Sequence, residues 1–152
     1  AQSTGATNTA GMCYGSTSTT SRVKLFGLED FWGNVWEWID GLVTNSTRDI
    51  LTATTNFNND GTGYTNNGQG ATTDIGNYMS KPQGTTKTGF IAKEVTGSAT
   101  THFCDFADLY TSCIALFGGD WGGGSSAGAF RLDVSYSADT SGAAIAARLM
   151  YL

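Results

Sequence analysis

His102 and Cys104, in the run Thr101-His102-Phe103-Cys104-Asp105, are the side chains best suited to metal ligation or nucleophilic attack in this 152-residue chain. An imidazole and a thiol two residues apart, with no second pair at ligand spacing, fall short of a zinc set. His102 is the single histidine, and no nucleophile-elbow sequence supplies a serine for it, so hydrolytic chemistry is not expected. Glu29, Asp30, Glu37 and Asp40 are close enough in sequence to suggest a general acid and base, but sequence proximity does not set two carboxylates across a substrate. Glu37 stands between Trp36 and Trp38, where burial costs several kcal/mol unless the charge is paired or hydrogen-bonded, so it is expected to be structural. Asn58, Asn59 and Asp60 offer oxygens to calcium without the ordered spacing of an EF-hand loop and serve equally well in a turn. No cofactor and no catalytic or metal residue is expected, with calcium kept as an alternative.

Composition narrows the field further. The net charge is −5 and the eight Lys and Arg are scattered, which gives no basic stripe for phosphate contacts and excludes nucleic acid as an expected partner. No run approaches the roughly 20 apolar residues of a bilayer-spanning helix, and the first eleven residues lack the pattern of a signal peptide. Three cysteines, Cys13, Cys104 and Cys113, leave one unpaired under any scheme, and buried free thiols are favoured over a single bridge. At this length one domain is expected over residues 1–152, as the carboxy-terminal domain of a longer chain.

The elements that must position any site are short. Aromatics at 12% with 21 Gly and one Pro suit large side chains buried between many turns rather than long amphipathic helices. Residues 1–21 are expected to wrap the surface, anchored at Met12, Cys13 and Tyr14. A turn around Leu28 to Gly33 leads into a strand from Asn34 to Ile39, buried on both faces. The Asn-, Thr- and Gly-rich stretch from Thr44 to Gly89 reads as mostly long loops. Gly89 to Val95 and Ser112 to Phe117 read as short strands. In Ala129 to Ser137 a two-residue period puts Phe130, Leu132 and Val134 on a buried face and Arg131, Asp133 and Ser135 on a wet one. A one-residue slip would exchange the two sets, so the register is strongly specified.

The block Gly33-Asn34-Val35-Trp36-Glu37-Trp38 resembles the GNVWEW signature of the formylglycine-generating-enzyme branch of the C-type lectin fold. Gly118, Gly119 and Trp121 resemble that branch's glycine-glycine-x-tryptophan segment, and Arg148 with Leu149 resembles its closing arginine strand. The resemblance implies an α+β C-type lectin fold of that subclass, with short strands, long ordered loops and little helix. Enzymes of the branch handle copper and oxygen with a pair of cysteines in the carboxy-terminal part of the domain. Here no cysteine follows Cys113, which argues against oxidase activity and for a scaffold kept for binding.

The layout of residues 118–152 is similar to the variable region of the ligand-binding proteins of diversity-generating retroelements of phages and bacteria. The resemblance supplies a fixed skeleton of Gly118, Gly119, Trp121, Gly124, Ala127, Gly128, Phe130, Leu132, Val134, Ser137, Ile145 and Arg148. Exchangeable positions would be Asp120, Gly122, Gly123, Ser126, Arg131, Asp133, Ser135, Tyr136, Asp139, Thr140, Gly142 and Ala144. Trp121 would support them and, with Tyr136, anchor the ligand, since aromatic side chains bring large contact area at small entropic cost. Substitutions at Arg131 or Tyr136 are expected to cost little stability. The function so implied is recognition of a protein or glycan on a cell surface, without catalysis, by a domain on a phage virion or a bacterial surface. The alternatives are a calcium-dependent carbohydrate-binding lectin and a structural virion or surface module.

Overall fold

The computed structural model describes residues 5–15, 22–101, 103 and 105–147. His102, Cys104, Arg148 and Leu149 lie outside them, as does whatever follows Ala147 in the expected variable region. Thirteen strands and one 3-10 turn, Gly124–Ser126, make up the described secondary structure. The α component of the expected α+β class is therefore not found among the described residues, which are mostly β strand and loop with almost no helix.

The chain opens with a three-stranded antiparallel ribbon of β1 (Tyr14–Gly15), β2 (Val23–Leu25) and β3 (Leu28–Glu29). The expected anchor at Met12 to Tyr14 holds through its backbone, Tyr14 pairing with Lys24 and the Met12 carbonyl accepting from Gly27 N–H at 2.9 Å, while these side chains are exposed. The side-chain anchor is Thr7, buried, which donates its N–H and hydroxyl to the Glu29 carboxylate. Lys24 Nζ adds a bond to the Thr7 carbonyl at 3.1 Å. These bonds hold the Glu29 carboxyl below its ordinary pKa, the Thr7 hydroxyl contributing most.

The main sheet contains β4 (Trp36–Thr44), β5 (Asp49–Thr52), β6 (Thr65–Gln69), β7 (Ile75–Tyr78), β10 (Phe106–Leu109), β11 (Ile114–Phe117), β12 (Leu132–Tyr136) and β13 (Ile145–Ala146). It runs β6-β5-β4-β11-β12-β10-β7, with β13 on β4, and curls into a half-barrel. Two pairings are parallel, β10 with β12 and β13 with β4; the rest are antiparallel. A separate hairpin joins β8 (Lys81–Gln83) and β9 (Ile91–Glu94).

Sequence chemistry explains the order of the strands. The continuous apolar run Ile-Ala-Leu-Phe of β11 suits a strand buried on both faces, and Ala115 and Leu116 have no accessible surface. At the edge, β6 reads Thr-Asn-Asn-Gly-Gln and is largely exposed, which is why a polarity criterion takes it for a loop. Most of Thr44 to Gly89 is loop as expected, but four short strands, β5 to β8, also lie there. Side chains staple this edge, with Asn67 Nδ2 donating to Thr52 Oγ1 at 2.9 Å and Asn66 Nδ2 to Asp49 Oδ2 at 2.8 Å. The expected strand from Asn34 is found two residues later and runs on to Thr44.

One face of the sheet carries the apolar core. Ile50, Ala71, Ile91 and Leu109 pack with Leu42, Ile75 and Leu132; Cys113, Ala115 and Val134 pack with Ile39, Leu42 and Leu132. Met79, Ala92 and Ala107 continue it beneath the β8-β9 hairpin. Cys113 is a buried free thiol as expected, whereas Cys13 is free and exposed. Replacing Leu116 by Ala is expected to lower the unfolding free energy by about 2–5 kcal/mol in urea titrations with the slope unchanged.

Candidate functional site

The two sequence blocks that carry the resemblance meet in space. Gly33 N–H donates to the Gly118 carbonyl at 3.2 Å, and Trp121 N–H donates to the Asn34 carbonyl at 3.2 Å. Trp36 N–H donates to the Ala144 carbonyl at 2.7 Å, so the segment before β13 reaches the same block from its other side. Asn34, buried, is oriented in turn by Asp30, whose Oδ2 accepts from Asn34 Nδ2 at 3.2 Å.

The glycine pair is required by close approach. Gly118 and Gly119 hold φ of +90° and +78°, and a Cβ on Gly119 would sit 2.8 Å from the Ala127 Cβ and 2.9 Å from its Cα. Gly118 also accepts from Gly128 N–H and donates to the Arg131 carbonyl, which folds residues 118–128 back onto the start of β12. On this frame Asp120 Oδ1 caps Gly122 N–H at 2.9 Å and Trp121 stands half exposed.

The strand that follows departs from expectation. Leu132 and Val134 do enter the apolar core, so the two-residue period assigns the faces correctly. Arg131 and Asp133, however, are not on a wet face: they are 8% and 4% exposed. Residues 118–130 and Trp36 cover that face, and Phe130, expected inside, is 73% exposed in the turn closed by Arg131 N–H on the Gly128 carbonyl. Alternation tells which side chains share a face; it does not tell whether a face is covered.

Beneath this cover lies a compact polar cluster. The Arg131 guanidinium lies over the rings of both Trp36, at 4.7 Å, and Phe106, at 4.5 Å. Its Nη2 pairs with Asp108 at 3.0 Å and with Asp133 at 3.6 Å, and its Nη1 donates to the Ser126 carbonyl at 3.2 Å. Asp133 Oδ1 accepts from the Ser135 hydroxyl at 2.5 Å and from its N–H at 3.0 Å, so Ser135, also expected outward, is half buried and committed inward.

Two carboxyls share one guanidinium here. Burial first, and the Asp133 charge second, push the Asp108 carboxyl up to about 7, and a hydrogen bond between the two carboxyls favours the protonated form. The Tyr136 hydroxyl is raised by burial and then by the negative charges of Asp133, Asp108 and Asp120.

The other nominated positions divide by exposure. Gly122, Asp139 and Gly142 are exposed; Asp120, Gly123, Ser126, Tyr136, Thr140 and Ala144 are half buried. Asp120 to Gly123 and Ala144 are brought together around the Gly33 to Trp36 block, Tyr136 lies at the far end of β12 opposite Ile114, and Asp139 and Thr140 form the turn after β12, where Ser137 bonds both. Asp108 and Phe106 were absent from the sequence reading. Their signal was the alternation in Phe106-Ala107-Asp108-Leu109, which sets Asp108 opposite the buried Ala107 and Leu109.

The acidic group near the aromatic block is dispersed: Glu29 holds the amino-terminal segment, Asp30 orients Asn34, and Asp40 is exposed. Asn58 and Asp60 act as turn formers, bonding the carbonyl and N–H of Thr62. Among the described residues no three His, Cys, Asp or Glu side chains gather in a way that could hold a metal ion. The chain matches no family model, no curated protein and no solved structure.

Two measurements check the cluster. Arg131→Ala leaves two buried carboxyls without their cation and is expected to cost about 3–5 kcal/mol, in contrast to the small cost expected of a surface residue. Because the folded-state pKa of Asp108 lies above its ordinary 3.8, its stabilising contribution is complete below that value and is lost as pH rises to about 7. Chemical denaturation between pH 4 and 8 should show stability falling by up to a few kcal/mol, and Asp108→Asn should flatten that slope.

Proposed function

We propose that this chain is a ligand-recognition domain with a C-type lectin fold of the formylglycine-generating-enzyme type, and that its carboxy-terminal segment is the variable region of a diversity-generating retroelement protein. The observation that carries the reading is the docking of Gly118 to Trp121 onto Gly33 to Trp36. It is a rigid backbone contact between the two resembling blocks, and it leaves Trp121 half exposed beside the exposed Gly122.

In this reading the ligand meets Trp121, Tyr136, Asp120 and the turn at Asp139 to Gly142. Trp121 and Tyr136 supply contact area with few rotamers to freeze, and the acidic side chains supply directional bonds. Arg131 and Asp133 lie underneath and serve as supports of the surface, with Ser135 bonded to Asp133. Small residues at Gly122, Gly123, Gly142 and Ala144 leave a shallow depression that larger residues would fill in other copies. The partner is a protein or glycan of a cell surface, and the domain would stand on a phage virion or a bacterial envelope.

The nucleotide sequence beside the coding region tests the retroelement half of the proposal. A near-copy of the segment encoding residues 118–152, differing almost wholly at its adenines and adjoining a reverse-transcriptase gene, is expected; its absence removes that half. For the binding half, fluorescently labelled domain is incubated with intact bacterial cells. Trp121→Ala is expected to reduce retention on cells at least about tenfold with the melting temperature unchanged, as for a hot-spot aromatic. Equal retention of the variant overturns the assigned face.

A further inference from the structure

The principal sheet ends on two edge strands, and the chain covers only one of them. At β6 the end of β8 and the segment after it come against the edge, Gln83 Nε2 donating to the Gly70 carbonyl and Thr85 Oγ1 to Asn67 Oδ1. At β7 the outer side is open. Met79 N–H, one residue past the strand, bonds the Asp105 carbonyl, which puts the odd-numbered residues in the ladder with β10 and turns the peptide groups of Gly76 and Tyr78 away from it. Tyr78 is satisfied there: its carbonyl accepts from Gly97 N–H at 3.0 Å and its N–H donates to Asn77 Oδ1 at 2.8 Å. Gly76, exposed, has no hydrogen bond on that side among the described residues.

A second run of chain faces this bare stretch. Past the end of β9 the chain approaches β7 so closely that a Cβ on Gly97 would lie 2.6 Å from the Met79 carbonyl oxygen. From that closed end a slot of about 410 Å³ opens between residues 71–77 and residues 93–96. Ile75 and Val95 line it with half-buried side chains that pack on the core. Of its charged side chains, Asp74 is paired with Arg48 at 2.6 Å and Glu94 with Lys81 at 3.0 Å, so both acids are answered. The exposed Lys93 ammonium has no ion pair and no hydrogen bond among the described residues.

A bare edge and an unanswered cation together select one kind of occupant. Another extended backbone offers a donor and an acceptor at the spacing of a strand edge, and such main-chain pairing accepts many sequences. The charge then narrows the choice, because the free charge of the slot is positive. We infer that the slot beside β7 receives an extended polypeptide segment bearing an acidic side chain, added to β7 as a further strand. The inference does not rest on the function proposed for the Trp121 surface.

The symmetric peptide acetyl-Val-Thr-Asp-Thr-Val-amide, which serves either strand direction, is titrated into the full domain and followed by amide shifts in nuclear magnetic resonance. Saturable shifts are expected at Gly76, Asn77 and Lys93, and exchange of the Gly76 amide hydrogen is expected to slow at least about tenfold as it gains a partner. The same peptide with Lys in place of Asp, and the peptide N-methylated at its central residues, are each expected to bind at least about tenfold more weakly. Lys93→Ala is expected to weaken the acidic peptide about threefold with the melting temperature unchanged, since that side chain is exposed. Absence of a saturable shift, shifts confined to the Trp121 surface, or equal binding of the N-methylated peptide overturns strand addition. Equal binding of the lysine peptide, or full affinity in Lys93→Ala, overturns the acidic preference. Shifts at Gly76 that grow with protein concentration in the absence of peptide assign the edge to a second copy of the chain and overturn the inference likewise.

Discussion

A guanidinium beside two aromatic rings, paired through Nη2 with two carboxyls, is the contact on which the covering layer of residues 118–130 depends. Arg131, just before β12, touches Trp36 of β4, Phe106 and Asp108 of β10, Asp133 of β12 and the carbonyl of Ser126 in the covering segment. No apolar side chain could bond a carbonyl, two acids and two rings at once. The arrangement ties residues 118–130 to the sheet, and it explains why a face bearing Arg and Asp is dry. Desolvating those charges is costly unless each finds a partner, and retention of the Asp108 proton reduces the cost by leaving one negative charge opposite one positive charge.

Backbone contacts carry the rest of the layer. The Gly33 to Trp36 block donates or accepts at Gly118, Trp121 and Ala144, so two separated pieces of chain converge on one short loop. Peptide groups, unlike side chains, are indifferent to residue identity. A scaffold held in this manner keeps its shape while the side chains on its outer rim differ, provided the glycines at 118 and 119 are retained.

How far the sequence could be read depended on which physical quantity was asked for. Face assignment in β12 follows from a strict geometric period, and Leu132 and Val134 fall where that period places them. Exposure of the opposite face depends on what packs over it, a non-local fact that no window of nine residues contains; hence Arg131, Asp133 and Ser135 were expected in solvent. Strand β6 was missed because an edge strand exposed on both sides has the composition of a loop, and its pairing to β5 rests on Asn and Thr side chains rather than apolar ones. Among side chains, Thr7 rather than the bulky Met12 and Tyr14 anchors the amino-terminal segment, since a carboxylate that gathers hydrogen-bond donors can outweigh apolar contact in a short ribbon. Asp108 was legible in principle, by the same alternation that served β12.

The parallel pairing of β13 with the start of β4 has a consequence for biosynthesis. Trp36 and Glu37 find one of their edge partners at Ile145 and Ala146, and β12 must slot between β10 and β11, which precede it in the chain. A ribosome therefore releases residues 36–117 before β12 and β13 can complete the principal sheet, and loop-closure entropy over so long a separation slows that closure. The nascent domain would spend that interval with unsatisfied strand edges, a state in which chaperone capture competes with self-association.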